Sequence, residues 1–137
     1  YTVRATFQKH HGRLHEGYGL IFGGTGLDQA EAGQAYGYFL VRGDGSFLVK
    51  RRQGAETPVV QDWTGHAGIH RDLGEAGQPN ELEVRVTGRD VVFLVNGTEV
   101  SRVPAADLPT RGVAGVRIPH EVAVVVRGFR AEPGAGQ

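Results

Sequence analysis

Apolar and polar positions alternate with a period of two through most of this chain, most clearly over residues 80–104, NELEVRVTGRDVVFLVNGTEVSRVP. Leu82, Val84 and Val86 interleave with Glu83, Arg85 and Thr87, the pattern of a strand with one buried face. Gly88-Arg89-Asp90 turns the chain into residues 91–95, apolar at every position, which predicts a strand covered on both faces. Asn96-Gly97 then supplies the two left-handed residues of a type I′ hairpin turn. Residues 98–103 return as a strand, and Pro104 ends it.

The same reading extends along the chain. Residues 1–9 form a first strand with Thr2, Arg4, Thr6 and Gln8 on its wet face. Residues 17–24, GYGLIFGG, make a compact apolar strand, and 25–34 a loop. AYGYFLVR and SFLVKRR, joined by Gly43-Asp44-Gly45, are a second strong hairpin over 35–42 and 46–52. Residues 53–79 are the longest irregular stretch, holding Trp63 and one short strand near 57–61. PAADLPTR, 104–111, predicts a single helical turn between two prolines. Strands at 112–118 and 121–131, joined through Pro119-His120, complete a domain over 1–132, and 133–137 is a tail. No window sustains a 3.6-residue period. Short strands at this spacing predict an all-β antiparallel sandwich.

Composition narrows the function classes. With 15 basic against 15 acidic residues the chain lacks the basic excess of a general nucleic-acid binder, so no nucleic-acid partner is expected. No apolar run approaches the roughly 20 residues that a spanning helix needs, so no membrane insertion is expected. The absence of Cys removes disulfides, thiolate metal sites and a Cys nucleophile. There is no Met, and the chain opens at Tyr1 inside a strand pattern, as a trimmed piece of a longer chain or a mature domain freed of its leader would. Arg, Ala and Gly usage has the character of a GC-rich bacterial genome. Together these favour a periplasmic or extracellular domain.

The succession GYGLIFGG, AYGYFLVRGDGSFLVKRR, Trp63, NELEVRVTGRDVVFLVNGTEV, DLPTRGVAGVRI and VVVRGFRAEP resembles a concanavalin A-like (LamG-like) jelly-roll domain. Within that fold it is most similar to the bacterial 3-keto-disaccharide hydrolase, or family-16-like, domains of unknown function. The resemblance covers residues 1–132 and rests on turn and strand motifs. It implies a jelly roll, and by analogy a glycoside-processing enzyme acting on keto-sugar or glucan substrates. Such domains carry a further strand before the one that opens this chain. Its lack implies an open edge at the first strand, available to a partner or a second copy for a structural or assembly role.

Candidate chemistry is sparse. Glu81 and Glu83 share a strand face about 7 Å apart, whereas retaining glycosidases place two carboxyls about 5 Å apart across the scissile bond. Arg85 follows on that face and is expected to pair with Glu83; no catalytic residue is assigned. His66 and His70 lie four apart, but Gly65 and Gly68 place them in a loop, and His10, His11 and His15 form a second cluster. No cofactor is expected, although Asp28, Glu31, Asp62 and Asp72 supply loop oxygens of the kind that calcium takes. Arg42-Gly43-Asp44 and Asn96-Gly97-Thr98 match an integrin tripeptide and a glycosylation sequon, yet both read as turns.

The best binding candidate is the aromatic and basic face of the middle hairpin. With Phe39, Val41, Phe47 and Val49 turned to the core, Tyr36, Tyr38, Arg42, Lys50 and Arg52 line the opposite surface. Sugar rings stack on such aromatics while Arg and Lys bond their hydroxyls. Trp63 caps this groove, or alternatively plugs one end of the sandwich. The expected function is a non-catalytic, lectin-like module binding a carbohydrate or another protein.

Overall fold

In a computed structural model that describes residues 1–74 and 76–133, the alternating segments fold as ten strands among the described residues. They are β1 (Thr2–His11), β2 (Tyr18–Thr25), β3 (Ala35–Arg42), β4 (Ser46–Gln53), β5 (Val59–Gly65), β6 (Asn80–Val86), β7 (Asp90–Val95), β8 (Thr98–Pro104), β9 (Val113–Arg117) and β10 (Ala123–Glu132). Two five-stranded antiparallel sheets result, in the orders β10-β1-β6-β7-β8 and β5-β4-β3-β2-β9. This is the expected jelly-roll sandwich. The turn predicted between the prolines is a 3-10 helix over Ala105–Asp107, and a second one, Glu31–Gly33, interrupts the loop before β3. Residues 134–137 of the expected tail lie outside the described residues.

Period-two patterning builds the core directly. Val3, Ala5 and Phe7 of β1, Leu82 and Val84 of β6, and Val91, Phe93 and Val95 of β7 face Leu20 and Phe22 of β2 and Phe39, Val41, Phe47 and Val49 of β3 and β4. Phe93 bridges the sheets, its ring centroid 5.9 Å from that of Phe22 and 5.0 Å from that of Phe39. Such tilted aromatic contacts add to the burial term and fix the sheets' relative position.

The uniformly apolar run in β7 is covered on both faces, but by different means. On the outer face Val92 lies opposite Arg85 and Arg102, and Leu94 opposite Glu83 and Glu99. The stems of these long side chains cover the two apolar residues while their heads pair with one another. Glu83 binds Arg85 as the sequence indicates, and Arg102 binds Glu99 at 2.8 Å and Asp90 at 3.3 Å. Glu83 is itself buried, so this is a half-sunken ion-pair row and not a freely solvated face.

Two expectations change. β1 is not an edge strand. It is paired on one side with β6 and on the other with β10, because the last strand of the sandwich returns beside the first. The free edges are β8 and β10 in one sheet and β5 and β9 in the other. Second, the strand expected near 57–61 runs later, over Val59–Gly65, and carries Trp63 within it.

The end of the sandwich beneath the loop after β5 holds a buried polar cluster. Lys9, last of the inward row of β1, is fully buried and pairs with Asp72 at 2.5 Å, with the Arg13 carbonyl accepting a second bond at 2.7 Å. Beside them, Asn80 Oδ1 accepts from the His70 backbone N–H and from Asn96 Nδ2, both at 2.9 Å. Asn96, at φ 52° in the β7–β8 turn, also accepts from the Glu81 N–H and donates to the Gly68 carbonyl. One turn residue thereby ties the hairpin to β6 and to the loop.

Candidate functional site

The outer face of the β5-β4-β3-β2-β9 sheet gathers all six residues singled out from the sequence. Antiparallel register sets Tyr36 opposite Arg52, Tyr38 opposite Lys50 and Leu40 opposite Leu48. Tyr36, Tyr38, Leu40 and Leu48 form an apolar cluster separate from the main core, with Ile21 and Trp63 packed against it. Trp63 therefore lies on this face and does not plug the end of the sandwich. It rests over Gly17, where an added Cβ would stand 2.8 Å from the indole, and next to Leu40.

Guanidinium groups form the next layer. Arg42 lies 4.1 Å from the Trp63 ring centroid, Arg117 4.8 Å from that of Tyr38, and Arg52 5.8 Å from that of Tyr36. Cations over ring faces are attracted by the ring quadrupole, which helps to hold each arginine above its floor. The Tyr36 hydroxyl accepts from Arg52 Nε at 3.0 Å and from a terminal nitrogen of Arg117 at 3.3 Å. The bond to Tyr36 and the pairing with Glu31 push the Arg52 pKa further up, keeping it charged. Burial pushes the Tyr38 phenol up as well, with the Arg117 charge opposing, so this ring is neutral at ordinary pH.

This arrangement differs from the expected sugar platform. Tyr36 and Tyr38 share the face with Lys50 and Arg52, yet they are only 7% and 4% exposed. The arginines occupy the ring faces that a sugar would stack on. What the surface presents is guanidinium edges, the Lys50 ammonium and the half-buried Trp63.

Arg117 escapes a reading of the sequence. β9 pairs with β2, setting Arg117 opposite Gly19. That pairing crosses nearly a hundred residues and no local motif announces it. Gly23 and Gly24 permit the close approach: a Cβ on Gly23 would stand 2.2 Å from the Pro109 carbonyl oxygen, and one on Gly24 3.2 Å from that of Val113, the first residue of β9. The glycines noted in GYGLIFGG were the available signal.

The acidic and histidine candidates are dispersed. Glu31 binds Arg52 at 2.5 Å, Asp44 accepts from Arg42 in the turn between β3 and β4, Asp62 accepts from the Trp63 N–H, and Asp72 is taken by Lys9. His66 Nδ1 accepts from the Gly68 N–H, and His70 Nδ1 bonds the Pro79 carbonyl, each bracing its own loop. Among the described residues no group of three or more His, Asp or Glu is placed to hold a metal ion. Glu81 and Glu83 stand on the opposite sheet, remote from the aromatic face. A wide cleft of about 620 Å³ lies at one end of the sandwich, lined by His11, Arg13, His120 and Glu121 among others. It lacks an aromatic wall.

Among the described residues no helix is long and apolar enough to cross a membrane. No family model matches the chain, and no curated protein matches it. Solved structures do. The carbohydrate binding module CBM66 from Bacillus subtilis superposes with a TM-score of 0.66 at 10% identity, over 93% of this chain and 71% of that one. Sheep galectin-11, in complex with glycerol, superposes with a TM-score of 0.57 at 17% identity, over 90% of each chain. At these identities the likeness is one of fold: the chain has the β-sandwich architecture of these two proteins.

Proposed function

We propose that this chain is a non-catalytic, lectin-like carbohydrate-binding module, part of a larger or exported bacterial protein, which takes a saccharide on the outer face of the β5-β4-β3-β2-β9 sheet. The observation that carries the reading is the convergence there of Arg42, Lys50, Arg52 and Arg117 over Tyr36, Tyr38 and Trp63, from four strands. Long, preoriented donors over an apolar floor suit a ligand dense in oxygen acceptors. The names of the two similar structures, a carbohydrate binding module and a galectin, point the same way.

A glycoside hydrolase, the reading drawn from the keto-disaccharide resemblance, would need paired free carboxyls near the bound sugar. The acids bordering this face, Glu31 and Asp44, are each tied to an arginine. A glycan array read together with thermal shift, with and without calcium, tests the binding reading. A saccharide class that raises the melting temperature of the native domain, with the rise lost in Lys50→Ala and Arg117→Ala, is the expected result. An array blank under both conditions, with the domain folded, overturns it.

A second reading, self-association, is favoured by apolar residues along two free edges. Val113 and Val116 on β9 and Val125 and Phe129 on β10 are all exposed. Sedimentation across a concentration series separates it: a mass that stays monomeric at high concentration excludes it.

A further inference from the structure

Resting on the binding reading above, the geometry points to an acidic saccharide, one carrying carboxylate or sulfate groups, as the ligand of this face, with its anionic group set between Arg117 and Lys50. The first ground is uncompensated charge. Arg42 and Arg52 have carboxylate partners in Asp44 and Glu31, but among the described residues neither Lys50 nor Arg117 has one. Arg52 and Arg117 both reach the one Tyr36 hydroxyl, so two guanidiniums stand within two hydrogen-bond lengths of each other, on a face where Lys50 is the register partner of Tyr38, the ring beneath Arg117. Like charges gathered so closely repel, and an anion seated against them removes that cost. In a chain whose formal charge balances to zero, this concentration is local.

The second ground is hydrogen-bond polarity. A guanidinium and an ammonium only donate, and the Tyr36 oxygen already accepts twice. Glu31 and Asp44 are engaged with arginines, so the middle of the face presents donors and scarcely any acceptor. A neutral sugar hydroxyl bound there accepts but finds no partner for its own proton. A carboxylate or sulfate, which only accepts, matches the site completely. Arg117, its guanidinium carbon 4.8 Å from the Tyr38 ring centroid, carries the planar fork that can make two parallel bonds to a carboxylate.

The test is a titration of the native domain followed by Trp63 fluorescence. Its four probes are an oligogalacturonate, its methyl-esterified neutral counterpart, a sulfated oligosaccharide and single-stranded DNA. The acidic oligosaccharides are expected to bind at least about tenfold tighter than the neutral one. Their affinity should fall as salt rises from about 50 to about 300 mM. The uronate and sulfate arms show which anion fits better. Arg117→Ala and Lys50→Ala should each lose about tenfold or more, while Arg130→Ala on the other sheet loses nothing. Both residues reach solvent, and an unchanged melting temperature certifies folding. Equal binding of neutral and acidic oligomers, abolished at the same face, overturns the acidic inference and leaves the module standing. DNA bound as tightly as the acidic sugars overturns the saccharide class. No saccharide bound overturns both readings together.

Discussion

At the scale of the residue, the buried polar groups under the loop after β5 do the most to determine how stability responds to conditions. Tyr18 is nearly inaccessible, and burial pushes its phenol up to about 12, with a hydrogen bond to Asn80 opposing and the nearby Asp72 charge adding. Because the folded value exceeds the unfolded value of 10.0, the Tyr18 contribution is fully present below pH 10 and is lost as pH rises toward 12. A shift of this size corresponds to roughly 2–3 kcal/mol. Denaturant midpoints measured across that window should fall steeply for the native chain and more shallowly for Tyr18→Phe. Equal slopes would remove Tyr18 as the cause. Lys9 and Asp72 are 0% and 2% exposed at their side chains, so truncating one strands a buried charge on the other. Asp72→Ala should cost about 3–5 kcal/mol by chemical unfolding, and a loss below about 1 kcal/mol would show the pair to be solvated like a surface bridge. Neither residue advertised this role. Lys9 follows the inward row by parity, but a lysine ending an apolar row reads as the strand's exit into water, and its partner lies 63 positions away in an irregular segment.

At the scale of the element, period-two patterning made most strands legible, because each sheet has one face against the core and side chains alternate strictly. The hairpins were legible for a local reason as well: Asn96 and Gly97 adopt φ 52° and 82°, the left-handed pair that a type I′ turn demands. Asn96→Ala removes the side-chain bonds to Glu81, Gly68 and Asn80 and strains the turn, and should cost about 1–3 kcal/mol. Its amides at Glu81 and Gly97 should exchange faster with solvent; unchanged exchange would show the turn to be held by β7 and β8 alone. What could not be read was pairing between distant strands. β10 returns beside β1, and β9 beside β2, so the strand that looked like an open edge is interior and Arg117 joins the aromatic face. β5 was placed too early, since Val59 and Val60 announce a strand but its continuation, QDWTG, has no alternating apolar residues. Its bulged pairing with β4, set by tertiary contact, decides where it ends and places Trp63 on the outer surface.

At the scale of the whole molecule, the two sheets have unequal outer faces. One is a row of ion pairs over Val92 and Leu94, closed upon itself: Glu83 with Arg85, and Glu99 and Asp90 with Arg102. The other stacks arginines on aromatics and leaves Lys50 and Arg117 without an acid among the described residues. The chain's balanced composition hides this asymmetry, which arises only when strands distant in sequence are set side by side. The five residues picked out from the hairpin, and Trp63 with them, fall on the face that the argument favours, while the mode of contact expected for them, stacking on open tyrosine rings, gives way to guanidinium and ammonium groups. The measurement that tests this account most directly is a chemical-shift map of the isotopically labelled domain, titrated with an acidic oligosaccharide. The account predicts perturbations confined to the indole of Trp63, the side chains of Lys50, Arg52 and Arg117, and the amides of β3, β4 and β9. Perturbations centred instead on the cleft of His11, Arg13 and His120, or spread over the Arg85–Arg102 face, would contradict it.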